Sequence, residues 1–317
     1  NTYDPANKWV APAGTLTITA AFEEPVEKFD IDVARMILGN ALEFQFGVAK
    51  TKIPDKTGYY AIVEKTWADG TTTEKIVPAE QWGDAGAYHA VIYDGLAAKE
   101  MGDTFYVTIY NAKGQAVSNA KQDSVRDYVA RTYKTQSETG KTMMVDMLNY
   151  GAAAQVNFDY GTDNLANKDL TDAQKASATV ATPEMNNNVV KGTNYQGSRF
   201  ILSSRIQVQV GFKGLKEGMY AIYTYTNNND DVKEIRVEYA DFVASGSSKI
   251  GVELSALVYA DARALVDIVV YNADGSVHAT ASDSIESACA RGSKSEDNVY
   301  VALMKFADSA RKHLYKK

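Results

Sequence analysis

The sequence predicts an α+β protein made of two tandem repeats, each an antiparallel β-sandwich followed by a small cluster of helices. Three observations predict this class. Residues 123–160 read as two helices joined by a short polar turn, and the second helix carries Met143, Met147, Tyr150, Ala154 and Phe158 at helical spacing. Residues 283–315 return the same pattern, with Val299, Leu303, Phe306, Ala310 and Leu314 each 156 positions later. Ahead of each helical stretch the apolar residues alternate instead, in short runs broken by Gly, Asn and Asp. Strands first and helices last give the α+β class, and evenly spaced short strands favour a sandwich over a parallel sheet. A period this long marks one module copied once, not a solenoid. The length of 317 residues suits two domains, divided as 1–166 and 167–317.

The elements follow in order. Residues 1–14 hold Trp9, Pro5, Pro12 and Gly14 and show no pattern, while 15–22 (TLTITAAF) alternate as a strand. Residues 34–48 (ARMILGNALEFQFGV) match 198–212 (SRFILSSRIQVQVGF), and each reads as two strands. Residues 58–70 (GYYAIVEKTWADG) match 218–230 (GMYAIYTYTNNND), a strand running into a turn, with return strands at 74–77 and 234–237. Trp82 then matches Phe242, and His89, Val91 and Leu96 match Ile250, Val252 and Leu257. Residues 104–114 (TFYVTIYNAKG) match 264–275 (ALVDIVVYNADG), strands closed by a glycine turn. Between the copies a polar segment holds one short helix near 171–177, with Thr171 as N-cap. It is too mixed for a flexible Gly/Ser linker and is expected to lie ordered against one lobe.

Composition narrows the function. Apolar residues make up 45% of the chain, enough for a packed core in each copy. A net charge of −7 argues against nucleic acid and against an anionic membrane surface. No apolar run approaches the roughly 20 residues of a membrane-spanning helix. Asn1 has no methionine before it, so the chain is expected to be a trimmed piece, and the lack of a leader is uninformative. The single Cys289 rules out an internal disulfide and is expected to be a small buried residue. Tyrosine outnumbers phenylalanine 20 to 10, which suits hydrated ligands because the ring is apolar and its tip polar.

Comparing the copies separates positions that the fold needs from positions that are free. Tyr60 and Ile62 recur identically as Tyr220 and Ile222, which predicts that their face of the strand is the core face. The other face carries Tyr59, Val63, Lys65 and Trp67 against Met219, Tyr223, Tyr225 and Asn227. Lysine is rarely buried unpaired, so Lys65, and Tyr225 with it, are expected at the surface. Phe105, Val107 and Ile109 stay apolar as Val266, Ile268 and Val270 and are assigned to the core, whereas Tyr106 answers to Asp267 and is assigned outward. Trp82 and Phe242, aromatic in both copies, read as packing. The aromatics that the core does not require are then Tyr59, Trp67, Tyr106, Tyr223 and Tyr225, each of which could also be an ordinary surface ring. Asp69 and Asn228, in the turns beside them, are the candidate hydrogen-bonding partners. Trp67 leads, because an indole next to a turn can stack on a sugar ring.

No catalytic motif is present: no GxSxG, HExxH, Walker loop or GxGxxG. His89, His278 and His313 have no ligand-type neighbour at i+2 or i+4. The runs at 227–231 (NNNDD) and 161–169 (GTDNLANKD) offer oxygen atoms but lack EF-hand spacing. No cofactor, metal site or catalytic residue is therefore predicted. The carboxylates fall in turns and on helix faces, although a hydrolase pair could still be assembled from residues distant in sequence.

The helical module carries a resemblance. DSVRDYVARTYKTQ, then LNYGAAAQ, a tyrosine and TDNLAN, resembles a repeat of secreted surface proteins of gut Firmicutes. In the second copy MKFADSARKHLYKK lacks the Gly-Ala-Ala run. The tandem arrangement as a whole is similar to the C-terminal starch-binding region of the starch adherence system proteins of the ruminococcal amylosome. That resemblance implies a non-catalytic, two-lobed monomer whose groove holds helical α-1,4-glucan, with starch and maltooligosaccharides as ligands. It also implies export to the cell surface and assembly with other amylosome proteins through regions outside this chain. Two other readings stay open: an adhesin or scaffold module for a protein partner, and a glycoside hydrolase.

Overall fold

The structure, a computed structural model, describes residues 26–39, 41–67, 70–177, 183–202, 206–293 and 299–315. The expected strand at 15–22, Trp9 and the candidate Asp69 lie outside the described residues. The fold is a β-rich α+β arrangement of antiparallel sheets with a few helices.

The first half begins with β1 (Val33–Leu38), β2 (Leu42–Ala49), β3 (Tyr60–Thr66) and β4 (Thr72–Pro78). β5 (Gly83–Ala85), β6 (Tyr88–Leu96), β7 (Thr104–Tyr110) and β8 (Lys121–Asp123) complete its sheets. One sheet runs β1-β2-β6-β5 and the other β4-β3-β7-β8. Their inner faces meet: Leu42, Phe44, Phe46 and Val48 of β2 are wholly buried, and the Phe44 ring lies 4.7 Å from that of Phe105 on β7. This face-to-face packing of antiparallel sheets fits a β-sandwich.

Three helices follow, α1 (Val125–Thr132), α2 (Glu138–Asn157) and α3 (Asp172–Ala176). Each begins at a hydroxyl cap: Ser124, Ser137 and Thr171 accept from the amides of Asp127, Gly140 and Gln174. The Asp123 carboxylate before α1 is fully buried and takes a two-pronged bond from Arg131, at 2.6 and 3.2 Å.

The second half holds β9 (Val190–Lys191), β10 (Tyr195–Leu202), β11 (Ile206–Phe212), β12 (Tyr220–Thr226) and β13 (Val232–Glu238). β14 (Val243–Ser245), β15 (Ser248–Leu254), β16 (Val266–Tyr271) and β17 (Val277–Asp283) come next. The sheets run β10-β11-β15-β14 and β13-β12-β16-β17-β9. α4 (Ile285–Gly292) starts at the Ser284 cap, and the buried Asp283 is gripped by Arg291 at 2.8 and 3.2 Å. α5 (Val299–Tyr315) closes the described chain. No helix among the described residues is long and apolar enough to cross a membrane.

The helical stripes do what their spacing implies. α2 and α5 pack against each other, and Tyr150 stacks on Phe306 with centroids 6.0 Å apart and planes 20° from parallel. Tyr259 joins them, 4.9 Å from Phe306. The last member of each stripe, Phe158 and Leu314, is exposed. α2 is buried on more than its stripe, because Met144, Leu148, Gly151 and Ala152 are buried too. A Cβ on Gly151 would sit 2.7 Å from the Met101 sulfur and 3.0 Å from the Ala166 Cβ, so the glycine lets the 98–103 turn and the 159–170 loop press onto the helix. Cys289 is fully buried, and burial pushes its thiol far above the ordinary range.

The structure corrects the face assigned to β3. Ala61, Val63 and Lys65 point inward, while Tyr60 and Ile62 lie on the outer face. Lys65 is 3% exposed, against the expectation that a lysine marks the solvent side, because Glu100 and Asp103 meet its ammonium at 2.9 and 3.3 Å. Tyr223 and Tyr225, on the matching face of β12, are likewise core residues, 1% and 7% exposed. On β7 and β16 the assignment agrees with the structure: Phe105, Val107, Ile109, Val266, Ile268 and Val270 are buried and Tyr106 is half-buried on the outside. Trp82 and Phe242 are core aromatics.

Candidate functional site

β3 delivers Trp67 to the mouth of a polar hollow of about 320 Å³, lined by Thr66, Trp67, Asp103, Tyr106, Gln155 and Asn164 among others. The strand ends there because the chain turns: the Trp67 amide donates to the Thr71 carbonyl, and the Gly70 amide donates back to the Trp67 carbonyl. Gly70 takes φ +82°, which a glycine adopts without steric cost.

The indole is fixed on several sides. Its Nε1 donates to Thr73 Oγ1 at 2.9 Å. The Lys65 ammonium lies 3.7 Å from the ring centroid. Tyr160 meets the indole edge-on, 6.4 Å away at 84°. The tyrosine also donates to Asp103 Oδ2 at 2.6 Å, and Lys99 sits 4.9 Å over its ring. Lys65, Glu100, Asp103 and Tyr160 thus form one buried network behind Trp67. Burial pushes the Asp103 carboxyl up, against the pull of the Tyr160 hydroxyl and the Lys65 ammonium, which favour its charged form. Burial, with the Glu100 and Asp103 charges, pushes the nearby Tyr93 phenol up to about 12.

The opposite wall comes from the loop after α2. Asp159 and Gly161 adopt positive φ, which folds the chain back on the helix. Gln155 clamps that loop by donating to the Gly161 and Asn164 carbonyls, both at 3.2 Å, and accepting from the Ala166 amide at 2.6 Å. Arg126 holds the Asn164 side chain at 2.9 Å. Asn149 accepts from Asn167 and donates to the Gln174 carbonyl. The LNYGAAAQ and TDNLAN segments therefore belong to one construction: Gly151 permits close packing, Gln155 sets the loop, and Asn164 and Asp163 face the hollow.

Of the residues selected from sequence, Trp67 and Tyr106 share this hollow. Tyr59 does not. It stands at the other end of β3, eight residues or about 26 Å along an extended strand, half-buried against the core. Asn228 is half-buried and already engaged, its amide group donating to the Ala260 carbonyl at 2.6 Å and to Asp261 at 3.0 Å. Tyr223 and Tyr225 can offer no ring face to a ligand. The Tyr223 hydroxyl accepts from the Ala256 amide instead. Sequence reasoning missed Lys65, Asp103 and Asn164. The one available signal was the polar run after LNYGAAAQ.

A second hollow, of about 760 Å³, opens between α2, α3 and α5. Asp146, Lys305, Asp308, Ser309 and Lys312 face it. Burial pushes the Asp146 carboxyl up to about 6, against the Ser309 hydroxyl and the Lys305 charge. Lys305 donates to the Ser177 carbonyl at 2.6 Å. A scan of protein-family models and a search of curated proteins both find no match to the chain.

Proposed function

We propose that the chain is a non-catalytic carbohydrate-binding protein that takes α-1,4-glucan, as starch or maltooligosaccharides, at the Trp67 hollow. The observation that carries this reading is the held indole beside an open polar recess. With Lys65 against the ring and Thr73 holding its nitrogen, the indole is already oriented, so little conformational entropy is lost when a sugar face stacks on it. Asp163 and Asn164 offer acceptors and donors for hydroxyls at the same rim. Asp103 is committed to Lys65 and Tyr160, which favours a binding role over proton transfer.

In this proposal the two halves are copies of one module, divided near residue 167. The matching strand orders support it, as do the Asp–Arg pairs that open both helical clusters and the stacked tyrosines Tyr60–Tyr110 and Tyr220–Tyr271. Export, the cell surface and a place in a larger starch-degrading assembly are part of the same proposal and rest on the resemblance of the helical module. The test is native affinity electrophoresis in gels containing amylopectin, pullulan or xylan, with a reducing-sugar assay alongside. Retardation by the α-glucans without sugar release is the expected result. Free migration in every gel, or release of reducing sugar, overturns the reading.

A further inference from the structure

The Tyr106 ring is a wall of two hollows. Beyond it, on the outer face of the β4-β3-β7-β8 sheet, lies a second recess of about 220 Å³ lined by Ile62, Glu64, Glu74, Thr108 and Tyr110. Register places these residues in rows across the strands: Glu74, Glu64 and Tyr106, then Ile76, Ile62 and Thr108, then Pro78, Tyr60 and Tyr110. Alternate residues of a strand share a face, so the rows lead away from Trp67 along β7. Tyr60 and Tyr110, stacked 5.2 Å apart and 7° from parallel, close the far end. Tyr106 and Tyr110 are four residues apart, about 13 Å along the strand.

Glu64 and Glu74 stand directly opposite each other across the β3–β4 pair. Like charges in that position repel, and among the described residues no cation pairs with either. The strand lysines next to them in sequence are engaged elsewhere, Lys75 with Asp94 at 2.5 Å and Lys65 with Glu100 and Asp103. Two unneutralised carboxylates beside aromatic walls and the Ile62 side chain suit a ligand that brings hydroxyl donors and an apolar ring face. The matching outer face of the second half has Asp267 where the first has Tyr106, and that carboxylate is bonded by Ser282.

We infer that the recess is a second subsite for the same glucan, so that the ligand is an extended oligosaccharide laid along β7 from Trp67 past Tyr106 to Tyr110, not a single sugar or a chain end. This rests on the carbohydrate reading above. The test is calorimetry on the whole chain with maltotriose and maltoheptaose. The wild-type protein is expected to hold maltoheptaose about tenfold more tightly or better, through two connected contacts. Thr108→Trp fills the recess and is expected to bring that ratio close to one. Glu74→Ala, on the exposed edge strand, leaves the core alone and is expected to lower the ratio several-fold, which keeps the question open to decision if Thr108→Trp does not fold. Equal wild-type affinity for the two sugars, or an undiminished ratio in the folded variants, overturns the second subsite while leaving the Trp67 site standing. Wild-type protein that binds neither sugar removes the carbohydrate reading and the inference with it.

Discussion

The ammonium of Lys65 lies 3.7 Å from the centre of the Trp67 ring, while Glu100 holds the same ammonium at 2.9 Å. A buried cation against an indole is worth about 2 kcal/mol when water is excluded. The arrangement fixes the ring and leaves it half-exposed. Trp67→Ala is expected to weaken α-glucan binding about tenfold or more, a loss of about 1.4 kcal/mol or greater. Trp67→Phe should recover part of that loss. Unchanged gel retardation of the Ala variant removes Trp67 from the site.

Lys65→Met strands two carboxylates inside the fold, since Glu100 and Asp103 are 8% and 7% exposed. Breaking a buried ion pair from one side costs about 3–5 kcal/mol. Urea denaturation should show that loss, and most of it should return in the triple variant Lys65→Met, Glu100→Gln, Asp103→Asn. A single variant as stable as wild type would contradict the network.

Asp146 gives the fold a pH dependence of known sign. Its carboxyl, facing Lys305, Asp308 and Ser309, holds its proton up to about 6 in the folded chain, against 3.8 without the fold. Folding then binds a proton that the unfolded chain releases. The resulting stability is fully present below about pH 4 and is lost as pH rises through about 6. Asp146→Asn should remove this contribution to the pH profile. Thermal melts of both proteins between pH 4 and 7 check it. Parallel profiles would exclude Asp146 as the source.

Gly151→Ala places a methyl 2.7 Å from the Met101 sulfur, which can swing aside, and 3.0 and 3.1 Å from the Ala166 and Met101 Cβ atoms, which move only with their backbone. Overpacking of this kind costs about 1–3 kcal/mol. The melting temperature should fall, and α-glucan binding should weaken with it, because the displaced 159–170 loop forms a wall of the Trp67 hollow.

Tyr223→Phe separates the two tyrosine classes. It removes the acceptor of the Ala256 amide, a loss of about 1 kcal/mol in urea. Retardation by amylopectin should not change. A weakened interaction would put Tyr223 back among the ligand contacts.

The alternation of β7 and the 3.6-residue spacing of α2 and α5 were legible because each reports burial along a single element. The Asp-Ser openings of α1 and α4 are equally local, since the serine caps its own helix. The faces of β3 and β12 were not legible. Tyr60 and Tyr220 are identical because each stacks on a neighbouring strand, on Tyr110 and Tyr271, and not because either fills the core. Identity between halves therefore pointed at the outer surface. Lys65 was misread for a related reason: Glu100 and Asp103 lie some 35 positions on in the sequence, and only the sheet brings them to its ammonium. The Trp67 hollow was half legible. An indole at a turn is visible in the sequence, but the loop that Gln155 folds back to face it is not.

Tyr150 and Phe306, in contact across α2 and α5, stand 156 positions apart, the spacing at which the proposed duplication makes them counterparts. On that proposal the contact would resemble the self-complementary face of a twofold dimer, with both partners on one polypeptide. The connecting segment acts as a tether that keeps the partners at high effective concentration. Either half produced alone would carry the mating face unpaired, and the expected outcome is self-pairing through α2 or α5 instead of a free lobe.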